Sequence, residues 1–432
     1  MKKKVAFKNG LLIDGTGSEA IHNALVLVEK GKITYAGPGR ESIPADYEIR
    51  DITGKSIMPG LIDSHLHFSG NLTDSDTDWV MEHNYQKAVV AVQQAHECLE
   101  AGLTTVGEVS RFGIHIRNMI ERGVMKGPRV VATGLGFCAT CSHGDSHHVS
   151  SELNKEGHPW AECVDSPWDL RKAVRRRLRE NPDAIKIWAT GGGIWRWETA
   201  MDQHYTMEEV QAVVDECKMR NIPVWSHCFG SAYNSVKAGV DLIVHGQSLD
   251  DRTLDLMAER GIALCPTINF MPAWCKTFPP TYDPAVHDRY PGETVADKEL
   301  NRIYANLKKA DERGILLTIG SDSFNSQMTP YGETAVGELT AFVEKSGIRE
   351  MDAIVAATLN GAKVLRVDDV TGSLETGKSA NLEVDNDLVI MAKRPFPSQL
   401  KTTKSHYAQK IVLKWDKVSS VCCLVTNSHP KS

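Results

Sequence analysis

Ile57-Met58-Pro59-Gly60-Leu61-Ile62-Asp63-Ser64-His65-Leu66-His67 runs from an apolar stretch into two histidines one residue apart. On an extended strand, residues i and i+2 share a face, so both imidazoles project the same way from a rigid support. Two neutral imidazoles converging like this make half of a transition-metal site. Alone, such a pair more often marks a polar strand end. Four further residues reverse that weighing. Lys186, His227, His245 and Asp322 each stand at the C-terminal end of a separate apolar, strand-like run.

Working outward, strand-like runs fall at 57–67, 104–109, 129–134, 184–189, 223–228, 242–246, 263–268 and 316–321, with helical patterns between them. Tyr85–Ala101, Trp168–Glu180, Thr206–Arg220 and Ser231–Ala238 are the clearest helices. Glycine closes helices before the next strand, as at Gly102, Gly239, Gly261 and Gly314. Eight β/α repeats imply an α/β protein built on a (β/α)8 TIM barrel over residues 58–372. Such barrels carry their active sites at the C-terminal strand ends, where His65, His67, Lys186, His227, His245 and Asp322 fall. Both chain ends read instead as short strands with turns. Asn9-Gly10 and Glu29-Lys30-Gly31 are hairpin-type signals, and Lys410–Trp415 is strand-like. Residues 1–57 and 373–432 are therefore expected to form one small β-sandwich domain.

A net charge of −6 argues against nucleic acid or an anionic membrane as partner, since either wants a basic face. The cluster Arg171, Lys172, Arg175, Arg176, Arg177 and Arg179 fits the solvated face of a helix. No apolar run reaches membrane-spanning length, and the basic start Met1-Lys2-Lys3-Lys4 lacks the apolar core of a signal peptide. Scattered cysteines in apolar surroundings, such as Cys98, Cys217 and Cys265, read as reduced thiols in a cytoplasmic protein. Cys138-x-x-Cys141 with His143, His147 and His148 offers a structural-zinc reading, weakened because no second Cys pair follows.

The ordered motifs Pro59–His67, Ala101–Val106, Ile185-Lys186-Ile187-Trp188-Ala189-Thr190-Gly191-Gly192, Ser226-His227, Val244-His245-Gly246 and Gly320-Ser321-Asp322 resemble those of the amidohydrolase superfamily. The resemblance spans nearly the whole chain. Within the superfamily, Ser142-His143-Gly144-Asp145 is similar to the segment after strand 3 in its prolidase-like and imidazolonepropionase-like branch. That branch includes dipeptidases and an ochratoxin-hydrolysing enzyme. It implies two divalent metals, zinc first with manganese or cobalt as alternatives. His65 and His67 would hold one with Asp322, His227 and His245 the other. Lys186, carboxylated by CO2, would bridge them, since a free lysine repels cations and neutral histidines cannot bridge. The implied nucleophile is a hydroxide shared by the two ions. Asp322 would act as proton acceptor, and a metal or His143 would polarise the carbonyl. The implied reaction is hydrolysis of an amide-type C–N bond: an N-acyl amino acid, dipeptide, aryl amide, carbamate or urea. A mononuclear cyclic amidase or deaminase is the alternative, disfavoured by Lys186. A metal-free scaffold is a more distant one.

For substrate contacts, the expected set is His143, Trp188, Trp195, Arg196, Trp197 and Phe229, with loop aromatics Trp274, Phe278, Tyr282 and Tyr290 nearby. Packing of these aromatics on neighbouring helices is an equal alternative. Dipeptidase-like relatives often carry tyrosine where Phe229 stands, two residues after the strand 5 histidine. A phenyl ring cannot hydrogen-bond a carboxylate, so either Arg196 takes that role or the substrate is neutral there. Ala380-Asn381-Leu382 also departs from the usual Ala-Asp-Leu, and Glu383–Lys404 is unusually polar. The expected partner is a small molecule, and the chain is expected to form a homo-oligomer.

Overall fold

The computed structural model describes residues 4–73, 75–147, 149–151, 160–195, 197–272, 275 and 294–380. The chain divides into two compact units, Met1–Gly60 with Val367–Ser432, and Leu61–Arg366.

In the first unit, β1 (Lys4–Leu12), β2 (Ile21–Glu29), β3 (Lys32–Pro38), β4 (Glu48–Asp51) and β5 (Ser56–Ile57) form a mixed sheet. β1, β2 and β3 pair antiparallel, whereas β4 and β5 run parallel to β1. Lys30 and Gly31 link β2 to β3 with φ of 52° and 77°, the two-residue geometry whose twist suits a hairpin. Asn9-Gly10 does something else. Asn9, at φ 67°, opens a bulge inside β1, where the register against β2 shifts between Lys8 and Gly10. Alternation along β1 fills two cores: Val5 and Phe7 join Val26, Ile33 and Leu374, while Ala6 joins Leu25, Leu27 and Tyr47. Leu374 donates to the Asp14 carbonyl, and Gly377 to that of Ile33, so chain from after residue 366 completes this unit. Lys410–Trp415 and the rest of 381–432 lie outside the described residues.

In the second unit all strand pairs are parallel. β6 (Leu61–Leu66), β7 (Leu103–Glu108) and β8 (Arg129–Ala132) make one sheet. β9 (Gly136–Cys138), β10 (Ala161–Cys163), β11 (Ile185–Trp188), β12 (Val224–Cys228), β13 (Leu242–His245) and β14 (Ala263–Cys265) make another, ordered β10-β9-β11-β12-β13-β14. Every residue of β6, β7 and β11 to β14 is buried, as parallel strands covered on both faces must be. Helices Asn84–Glu100, Pro167–Leu178, Met207–Lys218 and Tyr233–Ala238 lie between strands. Gly239 and Gly261 end their helices in the left-handed conformation, at φ 86° and 66°.

The run 316–321 carries only an isolated parallel bridge, Leu264 with Leu317. It is nevertheless stitched on both sides. Thr318 donates to the Leu264 carbonyl (3.0 Å), Ser64 to that of Ile319 (2.9 Å), and Asp322 to that of His65 (2.8 Å). Ser321 N–H donates to the Asp63 carboxylate instead of a backbone carbonyl, and Asp322 turns to φ 53°, which interrupts a regular ladder. Asp183 likewise donates to the Ala132 carbonyl (2.8 Å), tying the approach to β11 onto β8. The second unit is thus α/β with parallel sheets, consistent with a (β/α)8 barrel. The arginine-rich face of Pro167–Leu178 is paired: Arg171 with Asp215 (2.8 Å), Arg175 with Glu216 (2.8 Å) and Arg176 with Glu162 (2.6 Å). No helix among the described residues is long and apolar enough to cross a membrane.

Candidate active site

The strand ends of β6, β11, β12 and β13 deliver His65, Lys186, His227 and His245 to one place, and the 316–323 segment adds Asp322. His67 follows β6 directly. Both His65 Nε2 (3.2 Å) and His67 Nε2 (3.1 Å) meet the same Asp322 oxygen, Oδ1. The His65 and His245 rings lie 5.8 Å apart, and those of His227 and His245 4.5 Å apart, centroid to centroid. Among the described residues, His65, His245 and Asp322 are the one His/Cys/Asp/Glu group whose ligand atoms lie close enough, within 4.8 Å, to share an ion. The Cys138-x-x-Cys141 reading gains no such group.

Hydrogen bonds fix which nitrogen each imidazole offers. A carbonyl only accepts, so His67 donates Nδ1–H to Val109 O (2.7 Å) and keeps Nε2 as a lone pair. His227 does the reverse, donating Nε2–H to Gly191 O (3.1 Å) and keeping Nδ1. His245 Nδ1 meets the Thr267 hydroxyl at 2.7 Å. Burial drives the His65 imidazole down to about 3, and with mutual repulsion holds His227 well below the ordinary range; burial does the same for His245. All three are therefore neutral at neutral pH, the form that coordinates metal. Burial pushes Asp322 up, but the hydrogen bond from His65, together with the surrounding imidazoles, outweighs it and holds the carboxyl well below its usual range.

Lys186 is the unusual member. Its side chain is 1% exposed, and its Nζ has no hydrogen-bond partner among the described residues. The Nζ lies over the ring of Trp188, two residues on along β11, 5.4 Å from its centroid. Burial lowers the amine to about 8. An unpaired buried amine ringed by imidazoles is costly as it stands. An anionic modification of the amine, balanced by cations in the histidine cage, would remove that cost. The donor set therefore fits a metal group. Backbone geometry agrees that the site is over-determined: His245 (φ 74°) and Asp322 (φ 53°) are both non-glycine residues in the left-handed region.

His143 stacks on His227 with centroids 4.6 Å apart and planes 25° from parallel. A residue that sequence spacing does not single out, Glu198, holds it. Glu198 Oε1 accepts from His143 Nδ1 (2.7 Å), Ile194 N (3.3 Å) and Trp195 N (3.4 Å), and Oε2 accepts from Gly192 N (3.1 Å). Burial pushes this carboxyl up, but the charge and hydrogen bond of His143 leave it lowered. His204 Nδ1 accepts from the His143 backbone N–H (3.3 Å), which puts the His204 proton on Nε2, 3.8 Å from Glu198 Oε2.

Of the expected substrate contacts, Phe229 is buried with its ring 4.5 Å from His245 and 5.1 Å from His227. Trp188 is buried on the Lys186 face of β11. Trp195 is buried too, but its Nε1–H donates to His143 O (2.6 Å), so it braces the His143 loop. Trp197 is 62% exposed. Arg196, His148, His158, Trp274, Phe278, Tyr282 and Tyr290 lie outside the described residues. Trp160, unremarkable in the sequence, instead flanks His67 at 5.3 Å and packs on Trp79 at 4.6 Å.

Residues 56–411 match the profile of the amidohydrolase family. Ochratoxinase from Aspergillus niger is 27% identical over 395 residues, covering 86% of this chain and 79% of the relative. Guanine deaminase from Escherichia coli is 22% identical, covering 88% and 83%. Among solved structures, A. niger ochratoxinase superposes with a TM-score of 0.76 at 24% identity, covering 88% of each chain. A Xaa-Pro dipeptidase with bound methionine superposes at 0.74 and 29% identity, covering 88% of this chain and 92% of that one.

Proposed function

The chain belongs to the amidohydrolase family and is a hydrolytic enzyme acting on carbon–nitrogen bonds; from that premise we propose a binuclear metal-dependent hydrolase that cleaves an amide-type bond. The observation that carries the reading is the buried Lys186 amine, without a hydrogen-bond partner among the described residues, beside His65, His227, His245 and Asp322. In this reading the second unit is a (β/α)8 barrel and the terminal unit a small β-sandwich. His65 and His67 would hold one divalent ion with Asp322, and His227 and His245 would hold the other. Lys186, carboxylated, would serve as a ligand to both. Zinc suits these nitrogen and oxygen donors, and manganese or cobalt would also fit. When bound, the metals supply Lewis acidity and bring the pKa of water towards neutrality.

The chain's own groups do the rest. Asp322, held ionised by the His65 hydrogen bond, accepts the proton of the attacking water and returns it to the departing amine. With Nδ1–H donated to Glu198, His143 keeps the Nε2 lone pair for the substrate, where it accepts from the N–H of an amide, carbamate or urea and does not polarise the carbonyl. Phe229 and Trp160 present apolar rings beside His245 and His67, so the favoured substrate carries an apolar or aromatic group next to an amide, carbamate or urea bond. The ochratoxinase and dipeptidase among the similar proteins support this class; the deaminase keeps loss of ammonia from a ring as the competing outcome. Screening N-acyl amino acids, dipeptides, aryl amides and guanine with metal-loaded enzyme, alongside metal analysis, decides. Amide cleavage with two metals per chain is expected. Ammonia release with one metal would replace this reading by the deaminase one.

A further inference from the structure

We infer that Glu198 is a positioning residue for the hydrolysis: it commits Nδ1–H of His143 and so makes Nε2 the nitrogen presented to the substrate. The inference rests on the role of His143 proposed above. The geometry behind it is an acceptor-only array. Glu198 has a fully buried side chain, and all four groups bonded to it there, His143 Nδ1 and the N–H groups of Gly192, Ile194 and Trp195, donate. Backbone N–H groups have no other role available, so the shared oxygen Oε1 must accept, and the His143 nitrogen facing it must carry hydrogen. The opposite edge of the ring is thereby released.

His143 is also clamped from three other directions. Its ring lies on His227, its carbonyl accepts from Trp195 Nε1 and its N–H donates to His204. Of these contacts only Glu198 touches a ring nitrogen, so among the described residues it is the one that selects the tautomer. Stacking fixes the ring plane but leaves a half-turn about χ2 open, which would exchange Nδ1 for the carbon edge. Glu198 closes that option.

Two arms test this. In full-length protein labelled with 15N-histidine, with His143→Ala identifying the resonance, the wild-type His143 ring should show a protonated Nδ1. In Glu198→Ala the proton should move to Nε2, and Glu198→Gln should restore it, because the amide oxygen can take the Oε1 position. Kinetically, Glu198→Ala should lose about 10–100-fold in kcat/KM, the usual range for a residue one shell out, with metal content unchanged. Glu198→Gln should recover most of it. Adding Glu198→Ala to His143→Ala should cost nothing further, since both act through one ring. A bare Nδ1 in wild type overturns the inference without any variant having to fold. Losses that multiply in the double mutant overturn it too, assigning Glu198 to the 191–195 loop alone. An enzyme inactive on every amide but with Nδ1 protonated would sink the functional reading and leave the pair standing.

Discussion

At the scale of single residues, Asp322 and Lys186 carry opposite kinds of consequence. Asp322→Asn keeps the volume and an oxygen for coordination but loses the proton acceptor. Turnover should fall by about 10²–10⁴-fold, read as kcat at saturating substrate. A loss under tenfold would move the base elsewhere, with His143 the next candidate. Lys186 speaks to stability. In the unfolded chain its amine titrates near the ordinary value of 10.5, whereas burial brings the folded, metal-free one to about 8. Between those values the unfolded state binds more protons, so stability of the metal-free protein should rise as pH increases from 8 towards 10.5. Below pH 8 the penalty is fully present, at most about 3 kcal/mol. Lys186→Met should therefore be the more stable protein at pH 7 without metal, and the difference should shrink as pH rises from 8 through 10. Denaturant midpoints of the two at each pH measure it, and a constant difference would mean the amine is solvated in the folded state.

At the scale of elements, strands and loops differ in how much the sequence discloses. The His-x-His of β6, Lys186 on β11 and the histidines ending β12 and β13 are readable because strand alternation fixes which face a side chain takes. Each sits within or at the end of a short apolar run whose recurrence between helical patterns marks a covered parallel strand. Glu198 and His204 were not readable, since their meeting with His143 depends on the path of the irregular segment 189–205, which has no period. Asn9-Gly10 shows the limit within a strand: the dipeptide suits a hairpin turn and a bulge equally, and only the register against β2 separates them. Loop geometry makes its own prediction at Gly192. A Cβ there would run into the His143 ring, although the backbone conformation itself would admit alanine. Gly192→Ala should displace the ring while the parallel strands stay folded. Activity should drop about 10²-fold, as for a catalytic group moved by roughly an ångström, with circular dichroism and metal content unchanged. Wild-type turnover in Gly192→Ala would show that the 191–193 backbone yields more easily than the ring.

At the scale of the whole molecule, the site is a local excess of cost that the rest of the fold sustains. Three imidazoles are buried deeply enough to be held neutral, an amine lies buried without a hydrogen-bond partner among the described residues, and His245 and Asp322 occupy backbone conformations costing about 1–3 kcal/mol each. Apolar cores of the kind seen in both units, at about 1.5–3 kcal/mol per fully buried large side chain, are what make such a site tolerable. Ligands that bind only the folded state then act on overall stability. Each occupied site adds about 2.7 kcal/mol when free metal is a hundred times its dissociation constant. Stripping the protein with a chelator should accordingly lower the thermal midpoint while leaving secondary structure intact at room temperature. Zinc added back in substoichiometric steps should raise the midpoint until two equivalents per chain are bound. The same titration on Lys186→Ala should weaken or abolish that rise, because the residue proposed to serve both ions is gone, and small carboxylic acids should restore part of it. A wild-type titration that saturates at one equivalent would confine the metal to a single position such as the His65, His245 and Asp322 group, and with it would go the bridging role of Lys186.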